Sequence, residues 1–373
     1  SFVEAQVTAA PDVVVVGGGV VGAACARQIA LIGRRVRVIE RGEERGEAWR
    51  ASAGMLAPQI DAPLGEEMFE LGIAGREFYR DHAQVLREST GTDIALWEGG
   101  ILQAASDEAE VDVLRDRVAR QRQHGHHCEW LDPEEVRRDW PWLEATHGGL
   151  HAPRDGSVDP VRVVEALRAD GARLGVETVT DTITSLTRSG GRVTGVQGRA
   201  WHPADQVVLA AGAWTGRIGN LPRPVSVEPV RGQMVAYPWP GVARSSIVFG
   251  HGGYVLHRDG EAWAGSTVEH AGFVSEVTET GVAEIRKRAE ALFPALQGTR
   301  IRRAWSGLRP GTPDGLPIVG PEPDLDGLWY ATGHGRNGVL LAGITGIMIA
   351  QLLAGEATLE EVHALRPERF WSW

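Results

Sequence analysis

Cysteine is nearly absent: Cys25 and Cys128 are the only two in 373 residues, they stand far apart, and neither belongs to a CxxC pair. Neither a disulfide framework nor a cysteine metal site is indicated, and a reducing, cytoplasmic setting is expected. An excess of basic residues is lacking too. With 38 Lys and Arg against 49 Asp and Glu the formal net charge is −11, which argues against nucleic acid or an anionic membrane as the main partner, because both need a basic surface. The most apolar late stretch, Val339 to Gly355, is rich in small residues and too short for an ordinary membrane span, so a buried helix is expected there. The first ten residues, SFVEAQVTAA, have no basic start and no apolar core and are expected to be a loose lead-in. GxSxG, HExxH, Walker and EF-hand patterns are missing, which withdraws support from hydrolase and phosphotransferase chemistry. The run HGHHC at His124 to Cys128 invites a metal reading. It follows a charged helix and has no second ligand group at a recognisable spacing, so it reads as a solvated turn and no metal is expected.

What remains is an ordinary globular composition, 43% apolar and 23% charged, in a chain long enough for two closely joined domains. The richest signal is Asp12 to Glu40, DVVVVGGGVVGAACARQIALIGRRVRVIE. Val13 to Val16 read as a buried parallel strand, Gly17, Gly19 and Gly22 give the GxGxxG spacing, and a helix and a second strand follow. The first glycine permits the tight turn, the second lets backbone N–H groups approach a pyrophosphate, and the third lets helix and strand pack closely. The helix N-terminus carries a partial positive charge toward the phosphates. Glu40 ends the second strand where an acid accepts hydrogen bonds from ribose hydroxyls.

Periodicity predicts a helix from about Glu66 to Gly91, a hairpin in ALWEGGILQAA, and a charged surface helix from Asp107 to Gly125. Asp159 with Pro160 starts another helix, the strand candidates ETVT, ITSL and VTGVQG follow, and a buried strand is expected over Val207 to Trp214. From Val225 to Trp305 separated β-like runs, with a helix near Thr280 to Phe293, read as an antiparallel-sheet domain inserted into the first. The expected division is 10–80, 150–222 and 306–373 for the discontinuous nucleotide domain, and 81–149 and 223–305 for the inserted one. In the tail, Leu328 to Ala331 reads as a strand, His334 to Gly338 as a glycine-rich loop and Val339 to Leu353 as a helix. The loop serves either as an ordinary βα turn or as a positive helix end set beside a flavin. Arg309 offers a bidentate fork to a substrate carboxylate or makes a structural salt bridge, and Tyr254 adds a phenolic hydrogen bond or packs as core. Trp263 and Trp305 line a pocket or, more simply, pack in the core.

Together GGGVVG with Glu40 and Arg41, SAGMLAP, VVLAAGAW, RGQ at Arg231 to Gln233, GLRPGTPDGLPIVG and GHGRNGVLLA resemble the D-amino-acid oxidase superfamily nearly end to end. Within it the chain is similar to the glycine oxidases that serve thiamin-thiazole formation. The resemblance implies an α/β fold, with a Rossmann-like FAD-binding domain of the glutathione-reductase-2 (GR2) type and an inserted antiparallel-sheet α+β substrate domain. It implies non-covalent FAD, with Gly17, Gly19 and Gly22 in the glycine turn, the backbone of Val20 and Val21 on the pyrophosphate, Glu40 on the adenosine ribose, Arg41 among the cofactor-binding residues, and Ile183 near the adenine. Ala53, Gly54 and Met55 would face the isoalloxazine, and His334, Gly335, Arg336, Asn337, Gly338, Val339 and Leu340 its pyrimidine edge. Arg309, Tyr254 and Arg336 would be the substrate-side, catalytic residues. The activity implied is oxidation of glycine, sarcosine or a small D-amino acid by hydride transfer from Cα to flavin N5, giving the imino and then oxo acid, ammonia and hydrogen peroxide. The partners implied are a small amino-acid or amine substrate and dioxygen, with a homo-oligomer left open. A dehydrogenase of the same fold that passes electrons to a quinone or partner protein, and a flavin-binding subunit without turnover, are the alternatives. Two places depart from the family pattern: Trp49 and Arg50 stand where small or hydroxyl residues are usual, and Val268 where glycine oxidases carry a methionine. Neither Cys25 nor Cys128 stands where sarcosine oxidases attach flavin covalently.

Overall fold

The computed structural model describes residues 10–42, 46–61, 65–356 and 360–370. The expected lead-in, and part of the charged turn after Glu40, lie outside the described residues. Two sheets organise the chain. In the first, six strands lie in the order Ile318–Pro321, Leu328–Thr332, Gln206–Leu209, Val13–Val16, Val36–Glu40 and Glu177–Thr180. All neighbours pair in parallel except the edge strand Ile318–Pro321. Val15 stands between Val208 and Val38, so the valine run occupies the centre of the sheet. Because side chains alternate along a strand, Val13 and Val15 face the core shared with helices Val20–Leu31, Gly65–Thr90, Pro160–Arg173 and Gly338–Ala354. Val14 and Val16 face the opposite core, shared with Leu186, Val193 and Val196 of a three-stranded antiparallel sheet.

Gly17 holds a φ of +100° and leaves no room for a side chain, since a Cβ there would meet the carbonyl oxygen of Ala210 at 2.4 Å. At Gly22 a Cβ would stand 1.8 Å from the carbonyl oxygen of Gly17, so only glycine lets the helix press onto the turn. A buried ion pair, Arg27 to Asp170 at 2.6 Å, pins this helix to Pro160–Arg173, whose N-cap is Asp159 with Pro160 in the first turn. The tail helix Gly338–Ala354 is apolar all round because it is packed all round. Among the described residues one apolar helical stretch, Gly335–Ala354, is long enough to cross a membrane, and 67% of its most apolar window is buried inside the molecule.

The second sheet has eight strands in the order Arg303–Gly311, Glu228–Pro238, Glu261–Gly265, Gly253–Arg258, Ile247–Gly250, Ile101–Ala104, Gly149–Ala152 and Glu129–Leu131. Every pairing but one is antiparallel; Ile101–Ala104 lies parallel to Ile247–Gly250. Helix Glu279–Leu292 buries Ile285, Ala289 and Leu292 against this sheet.

Two local expectations are corrected. ALWEGGILQAA forms no hairpin, because Ile101–Ala104 takes its partners from distant strands and Trp97 makes only an isolated bridge to Ser157. The strand expected through Trp214 stops at Leu209, and Gly212–Arg217 coils into a 3-10 turn. The divisions at 150 and 306 fall inside strands Gly149–Ala152 and Arg303–Gly311, and both strands travel with the eight-stranded sheet.

Candidate active site

Between the two sheets lies a continuous cavity of about 880 Å³, large among ligand pockets. From the first sheet its wall takes Gly17, Gly19, Val20, Val21, Glu40, Arg41 and Ile183; from the connecting segment, Ala53, Gly54 and Met55. The tail contributes His334, Gly335, Arg336, Gly338 and Val339, and the eight-stranded sheet contributes Tyr254 and Arg309. Sequence positions 17 to 339 thus converge on one space. Three expected residues stand behind the wall: Gly22 packs on the turn, Asn337 is buried as the N-cap of the tail helix, and Leu340 sits in the core beneath it.

Helices Val20–Leu31 and Gly338–Ala354 both begin at this cavity, and neither has a side-chain cap on its first turn. Free N–H groups at a helix start favour negative charge. The cavity therefore has two built-in positive poles, one at the glycine turn and one at the tail. Glu40 accepts the N–H of Gly18 at 2.6 Å and that of Arg41 at 2.9 Å, which orients its carboxylate across the turn. Arg168 donates through Nε to the carbonyl of Gly18 at 2.9 Å and braces the turn from outside. His334 is buried against Thr345 Oγ1 at 3.0 Å, and burial pushes its pKa down to about 3, so the imidazole is neutral.

Arg309 sits on the long strand opposite Val230. Its Nη1 donates to the carbonyl of Thr267 at 3.0 Å and its Nη2 to Ser266 Oγ at 2.8 Å. Room for it exists because the neighbouring strand has glycine at 232: a Cβ there would stand 2.2 Å from Nη2. Burial pushes its pKa down, yet a guanidinium stays charged in a protein. Among the described residues it forms no ion pair, so the structural salt bridge weighed from sequence is not made. Tyr254 stands opposite Gly265, and its hydroxyl lies 3.6 Å from Met234 Sδ. Burial raises its pKa, which keeps the phenol protonated. Arg336, by contrast, is already paired, to Asp61 at 2.6 Å.

Sequence reasoning missed Asp61, Ser266 and Thr267. Asp61 carried the faint signal of an acid inside the apolar run MLAPQIDAPL; the other two act through a hydroxyl and a carbonyl that no spacing announces. Trp263 and Trp305 pack edge to face at 5.0 Å, away from the cavity wall. In HGHHC, His126 bonds Glu70 at 2.7 Å, His127 faces Glu129 at 3.3 Å, and Cys128 is buried. Neither cysteine reaches the cavity.

Comparison with known proteins agrees with this geometry. The chain is 34% identical to the glycine oxidase of Geobacillus kaustophilus over 93% of its own length and 94% of that protein. It superposes on the crystal structure of glycine oxidase from that species with a TM-score of 0.92 at 32% identity, covering 97% of this chain and 99% of the other. The iminodiacetate oxidase of Chelativorans sp. BNC1 gives a TM-score of 0.88 at 26% identity, over 95% and 98%. A family model described as DAO, FAD dependent oxidoreductase, matches residues 12–352. With that match over nearly the whole chain, and a cavity that joins the GxGxxG turn to an arginine with no ion pair among the described residues, this protein belongs to the DAO family of FAD-dependent oxidoreductases.

Proposed function

We propose that the chain oxidises the Cα–N bond of a small amino acid, of the class of glycine, sarcosine or a small D-amino acid, to the imino acid, which water hydrolyses to oxo acid and ammonia or amine. The single observation that carries this reading is Arg309, a half-buried guanidinium without an ion pair among the described residues, in the same cavity as the GxGxxG turn. A cation in that situation calls for an anionic ligand. Relatives named glycine oxidase and iminodiacetate oxidase, whose named substrates are amines carrying carboxylate, support it.

The residues present fit FAD. Two helix starts without side-chain caps suit a pyrophosphate and the pyrimidine edge of a flavin, and Gly17, Gly19 and Gly22 leave a cradle that a side chain would fill. In this reading Gly19, Val20 and Val21 hold the pyrophosphate, Glu40 and Arg41 the ribose, and Ile183 the adenine. Ala53, Gly54 and Met55 flank the ring, with His334 to Val339 at its edge. When bound, FAD accepts a hydride from Cα and hands the electrons to dioxygen, yielding hydrogen peroxide.

The chain's own work is orientation and electrostatics. Arg309 grips the carboxylate, with its remaining N–H groups turned into the cavity and the other two fixed by Ser266 and Thr267. Tyr254 offers a neutral O–H donor to the same carboxylate. Asp61 holds Arg336 at the substrate side and spreads its charge, so Arg309 is the stronger anchor. No side-chain base is required, because the substrate amine reacts neutral. The elements of the six-stranded sheet hold the cofactor, and those of the eight-stranded sheet hold the substrate.

Arg309→Gln tests the proposal. Loss of a charge-assisted fork costs about 2–3 kcal/mol, a roughly 30- to 160-fold drop in kcat/KM, with flavin content unchanged. An unaltered kcat/KM on every accepted amino acid would overturn it.

A further inference from the structure

Four side chains at the cavity's nucleotide end form a ladder that the reaction does not use. The guanidinium of Arg41 lies 3.6 Å over the ring of Trp214. Trp214 packs on Phe273 with ring centroids 5.6 Å apart and planes at 45°. The guanidinium of Arg217 lies 3.6 Å over the ring of Phe273. Arg41, Trp214 and Arg217 all line the cavity, next to Glu40 and Ile183, whereas Phe273 backs Trp214 from outside.

The rungs come from different parts of the fold. Arg41 follows strand Val36–Glu40 of the six-stranded sheet, and Trp214 and Arg217 belong to the 3-10 turn after Gln206–Leu209, which lies on the other side of the central strand Val13–Val16. Phe273 alone comes from the other side, from the segment that joins strand Glu261–Gly265 to helix Glu279–Leu292. That segment is anchored at both ends. Near its start Ser266 and Thr267 hold Arg309, and Glu269 receives Arg231 and Gln233. Near its end Gln233 donates to Thr278 Oγ1 at 2.9 Å and accepts the N–H of Thr278 at 2.8 Å. Between these anchors the phenyl ring reaches across to the nucleotide wall.

We propose that Phe273 is a latch: seated between Trp214 and Arg217, it fastens the 266–278 segment over the nucleotide end of the cavity and slows release of FAD. The chemistry fits the occupant. A dinucleotide diphosphate is dianionic there, and the ladder sets two guanidinium groups, stacked on aromatic rings, at that end of the cavity. Unlatching the ring removes one aromatic pair and one cation–π contact, and with them the side-to-side tie.

This inference rests on placing the ADP part of FAD at the glycine turn, so the test separates the two ideas. FAD affinity and release rate are measured on the full-length holoenzyme by flavin fluorescence and by rebinding to apoprotein, in Phe273→Ala, Phe273→Tyr, Arg217→Gln and Glu40→Gln. The latch predicts about ten-fold faster FAD release in Phe273→Ala, a smaller acceleration in Arg217→Gln, and near wild-type retention in Phe273→Tyr, with the melting temperature of the apoprotein within a few degrees of wild type in all three. Release within two-fold of wild type in Phe273→Ala while Glu40→Gln loses FAD would overturn the latch alone. Wild-type retention in both would overturn the placement as well. Equal loss in Phe273→Ala and Phe273→Tyr would show that the ring's stacking is not what holds the cofactor.

Discussion

A single methyl group at position 232 should disable Arg309, the proposed substrate anchor, without touching it chemically. Gly232 lies in the strand beside Arg309, and a Cβ built there stands 2.2 Å from Nη2, 2.3 Å from Cζ and 2.4 Å from Nη1. Ordinary contact for such atoms begins near ~3.4 Å, so the guanidinium must retreat by about 1 Å. Its bonds of 3.0 Å to Thr267 and 2.8 Å to Ser266 leave no slack for that retreat. A misplacement of about 1 Å costs on the order of 100-fold in rate when positioning is the catalytic device. Gly232→Ala is therefore expected to lower kcat/KM for amino acids by roughly 100-fold, while FAD content and melting temperature stay close to wild type. The assay is steady-state peroxide production with flavin content determined on the same sample. Full kcat/KM in a variant that retains FAD would refute the claim that Arg309 must stand where it does.

Three other outcomes follow from the structure. Gly22→Ala forces a Cβ to within 1.8 Å of the Gly17 carbonyl, so the turn opens and the purified protein should lose its yellow colour; normal flavin content would contradict the cradle. Asp170→Ala leaves Arg27, whose Nη1 already lacks a partner, as a buried charge without its 2.6 Å carboxylate, and should destabilise the apoprotein by about 3 kcal/mol in a urea melt. Burial depresses the pKa of His334 from 6.5 to about 3, so below the ordinary value the unfolded chain binds a proton that the folded chain refuses. That contribution to stability is fully present above pH 6.5 and is lost as pH falls toward 3, at ~1.4 kcal/mol per unit. His334→Gln should flatten the fall in urea midpoint between about pH 7 and about pH 5 relative to wild type; identical slopes would place the acid sensitivity elsewhere.

The dinucleotide half was legible because its physics is local. A parallel strand buried on both faces reads as VVVV, and steric demands at Gly17 and Gly22 leave a fixed spacing in sequence. Helices Gly65–Thr90, Glu108–Gln123 and Pro160–Arg173 announced themselves by period and caps. The hairpin expected in ALWEGGILQAA failed for the opposite reason: the partners of Ile101–Ala104 lie about fifty and about one hundred and fifty residues away, and local alternation cannot name them. Arg309 was visible as a candidate, but its lack of an ion pair is a property of the assembled cavity. Asp61 beside Arg336 and Phe273 beside Trp214 likewise join segments that only the fold brings together.

Anaerobic mixing with a panel of small amines tests the central claim most directly. Glycine, sarcosine and D-alanine are compared with methylamine and ethylamine, which keep the amine and lack the carboxylate. The account predicts that at least one of the amino acids bleaches the flavin's visible band and that the simple amines do not, because only a carboxylate engages Arg309. Equal bleaching by methylamine or ethylamine, or no bleaching by any amino acid, would contradict it.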